Sequence, residues 1–127
     1  MGPLMRTTKK QFNLYKKSAN RWLLKFGLIS WKVFFEHINN DMDAIATCTA
    51  DPPGRVALFS FTRTIGVNEG LTNKRIEQVG FHEACELLLA PLIIACQDTE
   101  TREDEIDSIR HGIIRRLEHV IFGRQQI

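Results

Sequence analysis

Asp51-Pro52-Pro53-Gly54-Arg55-Val56-Ala57-Leu58-Phe59-Ser60-Phe61-Thr62-Arg63-Thr64 is the stretch that decides the fold class. Its first four residues are built for a turn, because proline fixes φ and glycine tolerates the conformations a reversal needs. Beyond the turn, residues 55–64 are apolar and aromatic and read as a strand. Ala57, Phe59 and Phe61 alternate with Val56, Leu58 and Ser60, so both faces of this strand are largely apolar. Such a strand is expected to be covered on both sides, or to keep one face for a ligand. Upstream, residues 44–49 and 31–38 read as two further strands.

Helical periodicity frames this β region on either side. Before it, Phe12, Tyr15, Ala19, Trp22, Leu23 and Phe26 recur at helical spacing, with Thr8 placed as N-cap and Gly27 as the stop. Lys9, Lys10, Lys16, Lys17 and Arg21 fall mostly between them, which fits a solvated basic face over a core-facing stripe and, as a separate functional alternative, a small nucleic-acid binder working through this helix. After the strands, Thr72 or Asn73 can cap a helix running through His82 and Glu86 to Pro91, which is expected to kink or end it. Residues 97–102 form a polar connector. Thr101 with Asp104 resembles a capping box for a last helix, which has acids in its first turn and Arg115, Arg116 and Arg124 near its end, with Gly123 as a stop. The expected architecture is α+β: a helix, a small three-stranded, mainly antiparallel sheet, a motif helix and a C-terminal helix.

At 127 residues the chain is the size of one domain. Residues 7–127 are expected to form it, with residues 1–6 as an added N-terminal tail. Seventeen basic against fifteen acidic side chains leave a net charge of +2, too balanced to imply a nucleic-acid or membrane partner from charge alone. No uninterrupted apolar run approaches the roughly 20 residues of a bilayer span. Three cysteines, Cys48, Cys85 and Cys96, have no paired spacing and read as free thiols in a reducing cytoplasm.

The candidate chemistry lies in His82-Glu83-Ala84-Cys85-Glu86. Residues at i and i+4 share one face of a helix, so His82 and Glu86 can project side by side as metal ligands. Glu83 would point beside the metal, where a general base takes a proton from metal-bound water. Cys85, within one turn of His82, falls in the apolar stripe of Phe81, Leu88, Leu89 and Leu92 and reads as a small core hydrophobe. His37 and His119 have no companions that suggest a site.

Three stretches carry a resemblance to a known family: Phe26-Gly27-Leu28 followed by Trp31; Phe81-His82-Glu83 leading to Leu87-Leu88-Leu89; and Asp104-Glu105-Ile106 with Ile113-Ile114-Arg115-Arg116-Leu117-Glu118. From Lys10 onward the chain resembles small phage-encoded zinc metallopeptidases of the minimal zincin, SprT-like kind. The resemblance implies zinc as cofactor, His82 as first ligand and Glu83 as catalytic residue in peptide-bond hydrolysis. Glu86 stands where the family has its second histidine, so the motif has departed from the family pattern. In such folds the third ligand comes from the following helix, where Glu103, Asp107 and His111 are candidates. Helical angle favours Glu103, which lies near the apolar stripe of Ile106, Ile109, Ile113, Leu117 and Val120; chemistry favours His111, which would restore the histidine lost at Glu86.

A rival arrangement has Arg110 facing Glu86 in a salt bridge where the metal would sit. These alternatives lead to two functional expectations. One is a peptide hydrolase whose extended substrate adds to a sheet edge supplied by residues 44–49 or 55–64. The other is a catalytically inactive zincin-like module that holds a host or phage protein, including an anti-defence role. Either would act in the host cytoplasm if the gene is a phage's.

Overall fold

The computed structural model describes residues 3–39 and 44–123. The elements run β1 (Leu4–Arg6), α1 (Lys9–Lys25), β2 (Lys32–His37), β3 (Ala46–Asp51), β4 (Val56–Phe61), β5 (Thr64–Gly66), a short 3-10 turn (Val67–Glu69), α2 (Asn73–Gln97) and α3 (Glu103–Phe122). The fold is α+β, as the order of apolar patterns predicts.

α1 begins where Thr8 takes the Gln11 amide on its hydroxyl, while the Gln11 side chain accepts the Thr8 amide in return. That reciprocal cap satisfies two of the donors a helix start leaves open. The helix ends at Phe26, and Gly27 follows at φ +70°, a left-handed conformation that favours glycine.

The larger sheet has the order β2-β4-β3. β3 and β4 form the antiparallel hairpin that the Pro-Pro-Gly turn predicts, closed by the Arg55 amide on the Pro52 carbonyl at 3.2 Å. β2 pairs with β4 in parallel, Lys32 opposite Val56 through His37 opposite Phe61. The sheet is therefore mixed rather than mainly antiparallel. Folding β3 outward and bringing β4 back beside β2 puts the most apolar strand in the centre, where both its edges are paired.

Ala57, Phe59 and Phe61 point into the core with Tyr15, Ala19, Ile76 and Leu87 from α1 and α2. Tyr15 stacks on Phe61 at 5.1 Å and meets Phe35 edge-on at 6.1 Å, which ties α1 to the sheet through large rings. The opposite sheet face carries Lys32, Phe34 and Glu36, all exposed, beside half-buried Val56 and Leu58.

Residues 4–6, expected in an added tail, instead form β1, which pairs antiparallel with β5 as a second, two-stranded sheet. Thr7 locks this sheet to the rest: its amide donates to the Arg63 carbonyl, and its hydroxyl donates to the Thr62 carbonyl and contacts His37 Nε2 at 2.7 Å. His37 also lies flat on Phe12 at 4.9 Å. Burial, and then the charge of Arg63, lower its pKa, which keeps it neutral.

α2, capped by Thr72, continues past Pro91 to Gln97 and so is longer than a helix ended by that proline would be. By length and composition alone it could cross a membrane, a test that core helices also pass. In this fold Ile76, Val79, Gly80, Ala84, Leu87, Leu88 and Ala95 are buried against the protein.

α3 starts at Arg102 without a side-chain cap, so Thr101 and Asp104 make no capping box; Asp104 instead pairs with Arg102. Gly123 ends it as expected, while Arg124 lies outside the described residues. Arg116 reaches across to donate to the Phe26 and Gly27 carbonyls, both at 2.9 Å, and so closes the open end of α1 rather than its own helix.

Candidate functional site

The five residues of the motif divide between two faces of α2. His82 and Glu86 stand on its outer surface with side chains 68% and 57% exposed, Nε2 to Oε1 at 3.5 Å. Glu83 turns the other way and is only 7% exposed. A step of one residue rotates a side chain by about 100° around a helix, enough to carry it from solvent into the core.

The buried face of α2 is thus rotated relative to the stripe its apolar residues suggest. Phe81 and Leu89 are partly exposed, and Glu83 occupies a core position next to Ala84 and Leu87. Cys85 is half-buried and packs against the core, as expected.

Burial first, and the neighbouring Glu86 charge second, push the Glu83 pKa up to about 7. The same carboxyl contributes, after burial, to raising the Cys48 thiol to about 12 and the Tyr15 phenol above its ordinary value. Tyr15 is fully buried and its hydroxyl has no hydrogen-bond partner. Three titratable groups from α1, β3 and α2 therefore lie close enough to shift one another.

His82 and Glu83 nevertheless border one cavity of about 410 Å³, together with Arg75, Gln78, Val79 and the start of β3 at Ile45 and Ala46. β3 is an edge strand, whereas β4 is central and has no free edge. Of the two segments expected to offer an edge to an extended chain, only residues 44–49 can do so, through β3.

The remaining candidate ligands lie on α3. The five-residue connector folds α3 back along α2, and their relative height is set by the aromatic contacts. Phe81 touches Trp22 at 4.8 Å and Phe26 at 6.3 Å, and Arg116 bonds the Phe26 carbonyl, so the level of Phe81 and His82 on α2 meets α3 near Arg116. At about 1.5 Å per residue on two helices that run antiparallel, Glu86 and His111 come to about the same height, whereas Glu103 lies roughly 12 Å beyond them. His111 Nδ1 is engaged by the Asp107 carbonyl at 2.8 Å, and Glu103 is exposed.

Arg110 pairs with Asp107 at 2.7 Å, and Glu86 with His82, so the expected Arg110–Glu86 bridge is not formed. Among the described residues no three His, Cys, Asp or Glu side chains converge as a metal requires. His82 and Glu86 supply two donors facing each other and solvent. This donor set does not fit a closed three-ligand zinc site.

A second concavity went unmarked by any sequence motif. The groove between α1 and the start of α2, about 460 Å³, is lined by Lys17, Arg21, Trp22, Lys74, Glu77 and Phe81, among others. Its signal was present in the sequence: α1 holds six basic residues and no acidic one. What the sequence could not place was Lys74 and Phe81 from the opposite wall.

Compared with protein-family models, with curated proteins and with solved structures, the chain matches none.

Proposed function

We propose that the protein is a non-catalytic binding module that holds another protein. The observation that carries this reading is the α2–α3 hairpin. Leu89, Ile93, Ile94, Ile114, Leu117 and Ile121 are exposed on it, between 37% and 69%, while only Ile113 of α3 is buried. Large apolar side chains gathered on one supersecondary unit mark a protein-contact surface more often than a free one.

The test replaces Ile93 and Leu117 together with Glu. The doubly substituted protein is expected to keep its helical circular dichroism and melting temperature, and to lose the partner that the unsubstituted protein retains in its native cell extract. Unfolding of the variant would make these residues core, and an unchanged set of retained proteins would remove the hairpin from the contact.

One observation favours a peptide hydrolase instead: His82 and a near-neutral Glu83 share a cavity beside the β3 edge. A carboxyl with a pKa near 7 is suited to proton transfer. Stoichiometric zinc in protein purified without added metal, lost on Glu86→Ala, together with peptide cleavage lost on Glu83→Gln, would overturn the non-catalytic reading. Metal-free protein of unchanged stability supports it.

A further inference from the structure

The geometry points to the groove between α1 and the first turns of α2 as the docking site for an acidic, amphipathic peptide segment of the partner protein, an inference that rests on the protein-binding reading above. Lys17 and Arg21 stand one turn apart on one wall, and Lys74 on the other. Glu77 is the single acid in the lining.

Among the described residues every ion pair falls on α2, α3 or the residue capping α3; none engages the cations of α1 or Lys74. The first turn of α2 also contains no acid, so its positive helix end adds to the field instead of being neutralised. The first turn of α3, by contrast, carries Glu103, Asp104 and Glu105. The groove is thus a concentrated, unpaired positive surface on a chain of net charge only +2.

Between the cations the floor is apolar. Trp22 and Phe81 meet edge to face at 4.8 Å, and Leu14 lines the groove about two turns away along α1. A segment with carboxylates on one side and leucine-like side chains on the other matches both features: acids over Lys17, Arg21 and Lys74, apolar groups against Leu14 and the outer side of Phe81. The walls are rigidly joined, because Ser18 donates to the Glu77 carbonyl at 2.6 Å and Gly80 lies against Ser18 and Ala19. A preformed groove spares the ordering cost that weakens binding at mobile surfaces.

Single-stranded nucleic acid would also seek cations beside aromatic rings, but it needs ring faces on which bases can stack. Arg21 and Lys25 already stand over the Trp22 ring, at 5.9 Å and 5.3 Å from its centre, and Phe81 covers its edge. Carboxylates need only the cations, so an acidic peptide is the better match.

The experiment measures fluorescence anisotropy of the full chain with three labelled probes: a helical Glu/Leu peptide, its Gln-for-Glu twin, and oligothymidylate. The Glu peptide is expected to bind about tenfold more tightly than the Gln twin, with affinity falling at high salt. Lys17→Glu with Arg21→Glu is expected to cost about tenfold, and Lys74→Glu alone should weaken binding in the same direction. Lys9→Glu, outside the groove, should leave it unchanged.

Equal affinity for the two peptides, tighter binding of oligothymidylate, or an equal loss on Lys9→Glu would each overturn the proposal. If Lys17→Glu with Arg21→Glu unfolds the chain, the Lys74→Glu result decides. Loss of the native partner through the Ile93 and Leu117 substitutions but not through the groove substitutions would refute this inference and leave the binding-module reading standing. Zinc-dependent cleavage would refute that reading while the anisotropy result stood on its own.

Discussion

α2 makes two seams of opposite character. Against α1 it packs closely: Gly80 lets the backbones approach until a Cβ there would sit 2.8 Å from Ser18 Cβ and 2.9 Å from the Ala19 nitrogen. Against α3 it packs loosely, with one buried residue on α3 and large apolar groups left in solvent. The difference separates what holds the fold from what the fold displays. The α1–α2 seam and the sheet beneath it form a core that excludes water, whereas α3 is held chiefly through Ile113 and the reach of Arg116 to the end of α1.

Substitutions along the two seams should therefore differ in cost. Gly80→Val is expected to be the most damaging, about 3 kcal/mol, because the clash is with backbone and cannot be relieved by a rotamer change. A loss under 1 kcal/mol in chemical denaturation would show that the tight seam can open cheaply. Ile113→Ala should cost about 2 kcal/mol, the lower end for a buried aliphatic residue, since its surroundings are partly open already. A cost equal to that of Gly80→Val would abolish the distinction between the seams.

Glu83 tests what the tight side tolerates. Its folded pKa is raised from the ordinary carboxyl value of 4.5 to about 7, so the folded chain holds this proton more tightly than the unfolded one. Its contribution is fully present below about pH 4.5 and is lost as pH rises through 7. Glu83→Gln should consequently raise stability at pH 8 by on the order of 2 kcal/mol and flatten the decline between pH 5 and 8. An unchanged pH profile in denaturant melts would mean that the carboxyl is ionised without penalty. Smallest of the four, Arg116→Met should cost about 1 kcal/mol by leaving the Phe26 and Gly27 carbonyls to water. Thermal melts showing no change would leave the apolar contacts of Ile109, Ile113 and Val120 to anchor α3.

Much of the fold was legible because it depends on local chemistry. The Thr8 cap, the Gly27 stop, the turn at residues 51–54 and the helical periodicity of α1 each act over a few residues, and each appears where the sequence puts it. β1 was hidden because a three-residue strand carries almost no periodicity, and its partner β5 is as short. Of the two outcomes expected at Pro91, an end to the helix is not what occurs, because a proline inside a helix removes one hydrogen bond but does not forbid continuation when the flanking turns are packed.

The candidate site was legible only in part. His82 and Glu86 do share a face, as their spacing requires. The spacing could not say that Glu83 would go into the core. Nor could the angular position of Glu103 and His111 reveal their height, since a helical wheel discards the axial coordinate. That coordinate is fixed by the connector and by the contacts of Phe81, Trp22, Phe26 and Arg116.

The sequence by itself determined where most helices and strands begin and end, that residues 55–64 hold the most apolar strand, and that α1 is basic throughout. Tertiary structure alone decided that β4 lies in the centre, that α2 turns Glu83 inward, and that Lys74 and Phe81 face Lys17, Arg21 and Trp22 across a groove. The physical reason is range: caps, turns and periodicity act between near neighbours, whereas facing and depth arise when distant segments compete to bury the same surface.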